Sequence, residues 1–371
     1  MAFHSVLVPT GLAIARQWAR PRECGSKGQT VVLKFVRDAL GFVVLAILLA
    51  GVAGFMTANG FTVLRLLSQM LFGEVLALVV WASILLWRRE ARLLSLAFSL
   101  TAGSLLAVYA EAYHREPWDL QVRRHVIDRS KAGVASRSVR ILHLSDIQAD
   151  RIGPYETNVL RTGLEQHPDL IVFTGDYVQP RLYNTRYRTT ADLNALLRQM
   201  RFDAPLGAFA TRGDVDIDWP GAFAGTAIRP LTGESVKLTL PDHHSSVTLV
   251  GLTSAMSHGR DPEGMLQLVR LAPSSDLRIV AGHAPDFVAQ LAGAVPVDLA
   301  LAGHTHGGQV VLPFVGALYT KSALPRSFAS GLHDFRGILI NVSAGVGMER
   351  GTAPQIRFLC PPEISVIELR F

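Results

Sequence analysis

The sequence predicts a mixed α/β domain over residues 138–371, preceded by an apolar helical region of the membrane-spanning type. Two observations predict this division. Hydrophobic residues make up 49% of the 371 residues, and long uncharged stretches are concentrated before residue 111. From Ser138 onward, short β-rich segments alternate with helical patterns, which indicates layers of strands and helices.

Three apolar stretches precede the α/β domain. Ala39–Leu64 and Leu93–Ala110 contain no charged residue, and Leu66–Trp87 contains only Glu74. A bilayer core about 30 Å thick needs roughly 20 apolar residues in a helix, so the first two stretches are long enough and the third is marginal. Helices of a soluble bundle should show a polar face at helical period, and these stretches do not. We therefore predict about three membrane helices within residues 39–110.

The distribution of Lys and Arg predicts the orientation, because cytoplasmic loops are enriched in both. Residues 1–38 are basic and are predicted to be cytoplasmic, and Arg88, Arg89 and Arg92 lie between the second and third stretches. With three spans, the protein is a multi-pass protein of the cell inner membrane and its α/β domain is extracytoplasmic. If the third stretch lies only at the interface, the domain faces the cytoplasm instead. Residues 111–137 are polar without clear period and are predicted to be a linker.

The predicted elements of residues 138–371 follow from apolar runs bounded by turn residues. The predicted strands are Val139–Leu144, Leu170–Thr174, Gly207–Thr211, Val247–Leu252, Arg278–Ala281, Leu299–Ala302, Ile338–Val342 and Ile364–Leu369. The predicted helices are Asn158–Glu165, Asp192–Met200, Pro262–Leu271 and Pro285–Leu291.

Five of these strands are followed directly by side chains that offer an oxygen or an imidazole nitrogen. Ligand sites of open α/β sheets lie at the carboxyl ends of the strands, so we expect these side chains to meet. A glycine before most of them lets the backbone turn sharply. The side chains, in strand order, are Asp146 with Gln148, Asp176, Asp214 with Asp216, His283, and His304 with His306.

The mixture of Asp and His indicates the type of cofactor. Carboxylate and imidazole together suit divalent transition metals such as Mn, Fe, Zn or Co, whereas acidic sites without imidazole suit Mg or Ca. One Asp can bridge two metal ions about 3.5–4 Å apart, an arrangement that clamps a phosphoryl group. His304 and His306 both project from one extended turn, so each imidazole can bind a different ion. The sequence therefore predicts two divalent metal ions.

The order of these motifs resembles the calcineurin-like metallophosphoesterase superfamily. The segments Gly303–Val310, Gly345–Gly347 and Pro361–Ile364, with Ile356-Arg357, resemble its bacterial membrane-associated branch. The resemblance covers Ser138–Phe371 and implies a four-layer αββα sandwich with a two-metal centre. It also implies that Asp176 bridges the two ions, that Asp146 and His306 bind the first ion, and that His283 and His304 bind the second.

Two motifs depart from this family. Its Asp-x-His reads Asp146-Ile147-Gln148, and its Gly-Asn-His-Asp reads Gly213-Asp214-Val215-Asp216. Gln148 keeps a carbonyl oxygen and Asp214 is a stronger ligand than Asn, so both stay in the predicted metal set, and Asp176 and Asp214 are predicted to be catalytic. Val215 cannot donate a proton, and loss of a general acid costs about 10²–10⁴ in rate.

Two functions of different class follow from these departures. The first is a membrane-anchored hydrolase that cleaves phosphodiester or pyrophosphate bonds by a metal-bound hydroxide, with a leaving group that needs little protonation. The alternative is a metal-binding pseudoenzyme that acts as a membrane sensor or scaffold. The five unaltered ligands favour the hydrolase. His143, His258 and His333 are candidates to replace the missing acid.

The predicted partners are the membrane and a phosphorylated small molecule or lipid-linked substrate, and no nucleic acid is expected. The net charge of +6 suits anionic ligands. Arg181, Arg186 and Arg188 follow the Gly175-Asp176 motif and are predicted to bind an anionic head group. A solvated loop is the alternative interpretation of these three arginines.

Overall fold

The computed structural model describes residues 59–129, 137–217 and 219–371, together with the isolated positions 37, 41, 48, 49, 51 and 52. Most of the first predicted membrane stretch, and the basic segment before it, lie outside these residues. The elements below are numbered in chain order within the described part.

Two long apolar helices open the continuous described part of the chain, and we call them the apolar hairpin. Helix α1 spans Gly60–Arg88 and helix α2 spans Arg92–Trp118. Both are long and apolar enough to cross a membrane by length and composition, and only 17% and 11% of their apolar windows are buried by the protein. The hydroxyl of Ser83 donates to the carbonyl of Ser95, and the hydroxyl of Ser95 donates to the carbonyl of Ser83, which ties the helices together.

The start of α1 lies inside the first apolar stretch. That stretch runs to Leu64, and α1 already begins at Gly60. Asn59 causes this early start, because its side chain accepts a hydrogen bond from the backbone N–H of Phe61 and so caps the helix. Residues 60–64 therefore belong to the helix that contains the second predicted stretch.

The rest of the chain forms two mixed six-stranded sheets. The first has the strand order β1-β14-β2-β3-β4-β5, and the second has the order β12-β13-β9-β8-β7-β6. Parallel pairs β2–β3–β4 and β7–β8–β9 form the centre of each sheet. The first sheet consists of β1 (Gln121–Asp128), β2 (Ser138–Leu144), β3 (Leu170–Phe173), β4 (Ala208–Ala210), β5 (Ile228–Pro230) and β14 (Glu363–Arg370). The second consists of β6 (Glu234–Thr239), β7 (Ser246–Gly251), β8 (Leu277–Ala281), β9 (Leu299–Ala302), β12 (Gly331–Phe335) and β13 (Ile338–Val342).

Shorter elements complete the domain. A two-stranded ribbon is formed by β10 (Val311–Leu312) and β11 (Gly316–Ala317). The helices are α3 (Pro154–Leu164), α4 (Arg186–Gln199), α5 (Ser254–Ser257), α6 (Pro262–Leu271) and α7 (Val288–Leu291). The predicted mixed α/β fold is confirmed, and every predicted strand and helix of residues 138–371 is present.

Apolar side chains pack in three clusters around the two sheets. One cluster joins residues of both sheets, such as Val172 of β3 and Leu249 of β7. A second packs the first sheet against α3 and α4, and a third packs the second sheet against α6 and α7. One cluster therefore joins the two sheets, and the other two join each sheet to its own helices.

Strand β1 lies inside the segment that was predicted to be a linker. It runs parallel to β14 in register, with Gln121 opposite Glu363 and Asp128 opposite Arg370. The polar sequence of this segment hides the strand, because an edge strand buries few of its side chains and needs no apolar face. The structure therefore differs from the predicted linker over residues 111–137, because α2 extends to Trp118 and β1 spans Gln121–Asp128.

Candidate metal centre

The predicted ligands meet where the central strands of the two sheets end. Asp146, Asp176 and Asp214 follow the neighbouring strands β2, β3 and β4 of the first sheet. His283 and His304 follow β8 and β9, which are neighbours in the second sheet. Carboxylates that follow strands of the first sheet therefore lie close to imidazoles that follow strands of the second.

Short distances connect these side chains. His283 Nε2 lies 3.4 Å from Asp176 Oδ2, and His304 Nδ1 lies 3.1 Å from His283 Nε2 and 3.3 Å from Asp214 Oδ2. His306 Nε2 lies 3.4 Å from Asp146 Oδ1. Asp146, Asp176 and His283 form one group whose ligand atoms all lie within 4.8 Å of one another, and Asp214, His258 and His304 form another.

Glycine permits this close approach at two positions. A Cβ atom on Gly213 would lie 2.2 Å from Asp176 Oδ1, and a Cβ atom on Gly303 would lie 1.8 Å from the hydroxyl of Ser145. No side chain fits at either distance. The glycines of the Gly-Asp and Gly-His motifs therefore make room for the carboxylates of neighbouring strands.

The backbone at the ligands is unusual as well. Non-glycine residues seldom adopt positive φ angles, and such strained residues cluster at functional sites. Five of the seven predicted metal ligands have positive φ: Asp146 (49°), Gln148 (38°), Asp176 (59°), His304 (69°) and His306 (51°). The fold holds these residues in conformations that local sequence alone disfavours.

Asp216 fixes the loop that carries Asp176. Its carboxylate accepts hydrogen bonds from the backbone N–H groups of Asp176, Tyr177 and Gly213 at 2.7–2.9 Å. Sequence reasoning noted Asp216 only as the last residue of its motif and gave it no role. Its position three residues after Gly213 is the signal for a side chain that caps its own turn.

Gln148, which stands in the place of a family imidazole, also faces the centre. Its Nε2 donates to Asp176 Oδ2 at 3.0 Å, and its Oε1 is buried with no hydrogen-bond partner among the described residues. Because the two amide atoms are distinguished only by their hydrogen bonds, a half-turn of the amide directs Oε1 to the carboxylate side. In that orientation the oxygen can bind a cation.

The buried carboxylates and imidazoles of the centre have shifted pKa values. Burial raises the pKa of Asp146 to about 7 and lowers the pKa values of His304 and His306 to about 3. Burial also acts to raise the pKa of Asp176, but the adjacent His283 outweighs it and the pKa lies well below its ordinary value.

Burial acts to lower the pKa of His283, but Asp176 outweighs it, with contributions from Asp146 and Asp214, and this pKa lies well above its ordinary value. Metals bind the deprotonated forms of these groups, so a divalent ion would displace protons at His283 and Asp146. The set of carboxylate and imidazole donors fits such an ion.

The three candidate histidines have different positions. His143 is fully buried, between the hydroxyl of Thr174 and the side chain of Asn341, so it supports the strand end. His333 Nε2 lies 2.7 Å from the carbonyl of Ser330. Only His258, among these three, reaches the centre.

Arg181, Arg186 and Arg188 do not converge on one point. Arg181 binds Asp150, with its backbone N–H 2.7 Å from Oδ1. The guanidinium of Arg186 donates to the carbonyl of Val215, and the side chain of Arg188 is 87% exposed. Each arginine engages a different part of the protein, and a role in substrate binding stays a prediction.

The loop of residues 344–360 forms hydrogen bonds to the backbone of ligands that follow strand β2 of the first sheet. The backbone N–H of Gly347 donates to the carbonyl of Asp146 at 2.7 Å. The guanidinium of Arg350 donates to the carbonyl of Gln148. We call residues 344–360 the support loop. It holds the backbone of two predicted metal ligands in place.

Comparison with known proteins agrees with this geometry. Residues 139–308 match the family described as calcineurin-like phosphoesterase. The chain is 31% identical over 283 residues to the metallophosphoesterase YkuE of Bacillus subtilis, with 73% of this chain and 94% of YkuE covered. It is 29% identical to the phosphodiesterase YaeI of Escherichia coli, with 69% and 91% covered. It is 26% identical to the UDP-2,3-diacylglucosamine pyrophosphatase LpxG of Chlamydia trachomatis, with 74% and 95% covered.

Proposed function

This chain belongs to the calcineurin-like metallophosphoesterase family, and from that premise we propose that it is a membrane-anchored hydrolase of phosphodiester or pyrophosphate bonds. The observation that carries the proposal is the convergence of Asp and His from five strand ends on one point between the sheets. The three core clusters support the four-layer αββα arrangement that the family resemblance implies.

We assign the metal ligands by combining the family pattern with the distances. Asp146, Gln148 and His306 would hold one ion, Asp214, His283 and His304 would hold the other, and Asp176 would bind both. Bound there, divalent ions such as Mn, Fe, Zn or Co supply Lewis acidity and a nucleophile at neutral pH. The protein contributes the positions: Asp216 and the support loop hold Asp176 and Asp146 before substrate arrives.

The site favours substrates with a stable leaving group. Val215 contributes its backbone N–H to Asp176 Oδ1 at 2.9 Å, and its side chain is an isopropyl group that cannot protonate a departing alkoxide. A phosphate or nucleotide leaves without such help, whereas an alkyl alcohol does not. We therefore propose an activated diester or a pyrophosphate as substrate.

The contacts of the apolar hairpin support the proposal of a substrate at the lipid surface. Asn59, just before α1, donates from Nδ2 to the hydroxyl of Thr352 in the support loop at 2.8 Å. The ring of Phe61 packs edge-on against Tyr319 with centroids 5.0 Å apart. Glu116, near the end of α2, accepts from the backbone N–H of Leu359 at 2.8 Å. Both helix ends thus contact the loops around the candidate metal centre, which suits a lipid-linked or nucleotide-linked substrate of the membrane.

The orientation of the hairpin supports an extracytoplasmic domain. Arg88, Arg89 and Arg92 lie at its turn, and the domain contacts the opposite ends of the helices. A basic turn belongs on the cytoplasmic side. This inference uses only the two described helices, and the third span stays a prediction. A C-terminal alkaline phosphatase fusion should be active, and a C-terminal green fluorescent protein fusion exported by the same pathway should not fluoresce. An inactive phosphatase fusion together with a fluorescent protein fusion would place the domain in the cytoplasm.

Activity is tested with the full chain in detergent. After loading with Mn, Co or Zn, we expect hydrolysis of bis(p-nitrophenyl) phosphate and of a nucleotide-linked pyrophosphate, and much slower hydrolysis of alkyl diesters. Asp176→Asn is the inactive control. Fully metal-loaded protein that turns over none of these substrates would favour the alternative of a metal-binding pseudoenzyme.

A further inference from the structure

We propose that His258 is an additional ligand of the second metal ion, beside Asp214, His283 and His304. This inference rests on the metal centre of the proposed function but not on its hydrolytic activity. The family pattern assigns no ligand to this position, and the surrounding sequence, Ser257-His258-Gly259, carries none of the Gly-His motifs that mark the other imidazoles.

The distances place His258 among the ligands of the second ion. Its Nε2 lies 2.8 Å from Asp214 Oδ1, and its ring centroid lies 4.8 Å from that of His304. Ligand atoms about 2.0–2.2 Å from one metal ion lie roughly 3–3.5 Å from each other. The observed separations of Asp214 from His258 (2.8 Å) and from His304 (3.3 Å) are close to that spacing. One ion can therefore be bound by all three side chains with small shifts.

The local fold brings His258 to this position. The hydroxyl of Thr253 accepts from the backbone N–H of Met256 at 3.2 Å and starts the one-turn helix α5. His258 follows that helix directly. A Cβ atom on Gly282 would lie 2.9 Å from Cβ of Ser257, so α5 packs against the turn that carries His283. His258 is thus held beside a neighbouring ligand of the same ion.

The negative charge of Asp214 further supports His258 as a ligand of the second ion. The family has a neutral Asn at this position, and Asp adds a negative charge. One carboxylate oxygen faces His304 and the other faces His258 and the hydroxyl of Ser254. A cation between the carboxylate and the imidazoles satisfies all of these groups. The second ion would then be bound by three imidazoles, whereas the first is bound by His306 alone with carboxylate and amide oxygens.

Metal titration tests the proposal without any substrate. In the full chain, His258→Ala should weaken binding of the second equivalent of Co²⁺ at least tenfold, since loss of even an indirect ligand partner costs 10–100-fold. Binding of the first equivalent should be unchanged, which also shows that the variant is folded. His244→Ala, an exposed histidine in the turn after β6, is the matched control and should leave both equivalents unchanged.

The proton NMR spectrum of the Co²⁺-loaded protein separates a direct ligand from a neighbour of Asp214. Each imidazole bound to Co²⁺ gives one strongly shifted, exchangeable N–H signal. We expect four such signals in the wild type, from His258, His283, His304 and His306, and three in His258→Ala. Three signals in both proteins, or unchanged affinity for the second equivalent, would overturn the assignment. If the four N–H signals are present but the protein hydrolyses no substrate, the assignment of His258 stands and the proposed hydrolase function is rejected.

Discussion

The backbone N–H of Arg357 donates to the carbonyl of Ala112 at 3.1 Å and joins the end of helix α2 to the support loop. The side chain of Arg357 is fully buried and donates to the carbonyls of Ala344, Gly345 and Cys360 at 2.8–3.0 Å. Arg357 therefore joins the apolar hairpin to the loop that holds Asp146. The hairpin is therefore part of the framework of the site.

Arg357→Met should lower stability strongly, because it leaves several buried carbonyl groups without donors. Each such group costs about 1–3 kcal/mol, so the loss should be at least about 3 kcal/mol and the midpoint of thermal unfolding in detergent should fall. Arg188→Met is the control, since that exposed side chain should change stability by less than about 0.5 kcal/mol. Equal midpoints for the two variants would show that the buried network contributes little.

Asp176→Asn should abolish hydrolysis of every substrate. The amide keeps the size of the side chain but removes the negative charge between the two groups of ligands. Initial rates with an aryl diester and a pyrophosphate should both fall by at least about 10³, the size typical of losing a main electrostatic contribution. Asp192→Asn, on the exposed face of α4, should retain full activity. A selective loss with one substrate only would argue against a bridging role.

Val215→His should change the dependence of rate on the leaving group. The wild-type rate should fall steeply as the leaving-group pKa rises, because no proton is supplied from this position. An imidazole there should speed the poorest leaving groups by about 10²-fold or more and change the best ones little. The measurement is a series of aryl and alkyl diesters, with Val215→Ala as the control. Parallel plots for wild type and Val215→His would mean that leaving-group protonation does not limit the rate.

Cys360 should be chemically inert in the folded protein. Burial raises the pKa of its thiol to about 11, whereas an unfolded cysteine titrates near about 8.5. Its contribution to stability is therefore present below the unfolded pKa and is lost as the pH rises toward 11. At pH 8, iodoacetamide should modify Cys360 in denatured protein but not in folded protein, as read by peptide mass spectrometry. Rapid modification of the folded chain would show that the support loop opens.

The sequence alone determined the elements and motifs whose signals are local. The bounds of the helix Pro262–Leu271 and the strand Leu299–Ala302 agree with the prediction. The helix shows an apolar period, and the strand is a short apolar run bounded by turn residues. Asp146, Asp176 and His304 could be recognised because each directly follows a buried strand, and the ends of parallel strands meet. Strand β1 could not be recognised, since a polar edge strand has no such period.

Only the tertiary structure decided which distant residues meet. His258 reaches Asp214 across 44 positions of sequence, and Arg357 reaches Ala112 across an even longer interval. Neither contact has a local pattern, because each depends on how two separate loops are placed by the packing of sheets and helices. The sequence therefore identified the chemistry of the strand ends. The packing decided that His258, rather than His143 or His333, lies beside that chemistry. It also decided that the helices of the apolar hairpin end against the support loop.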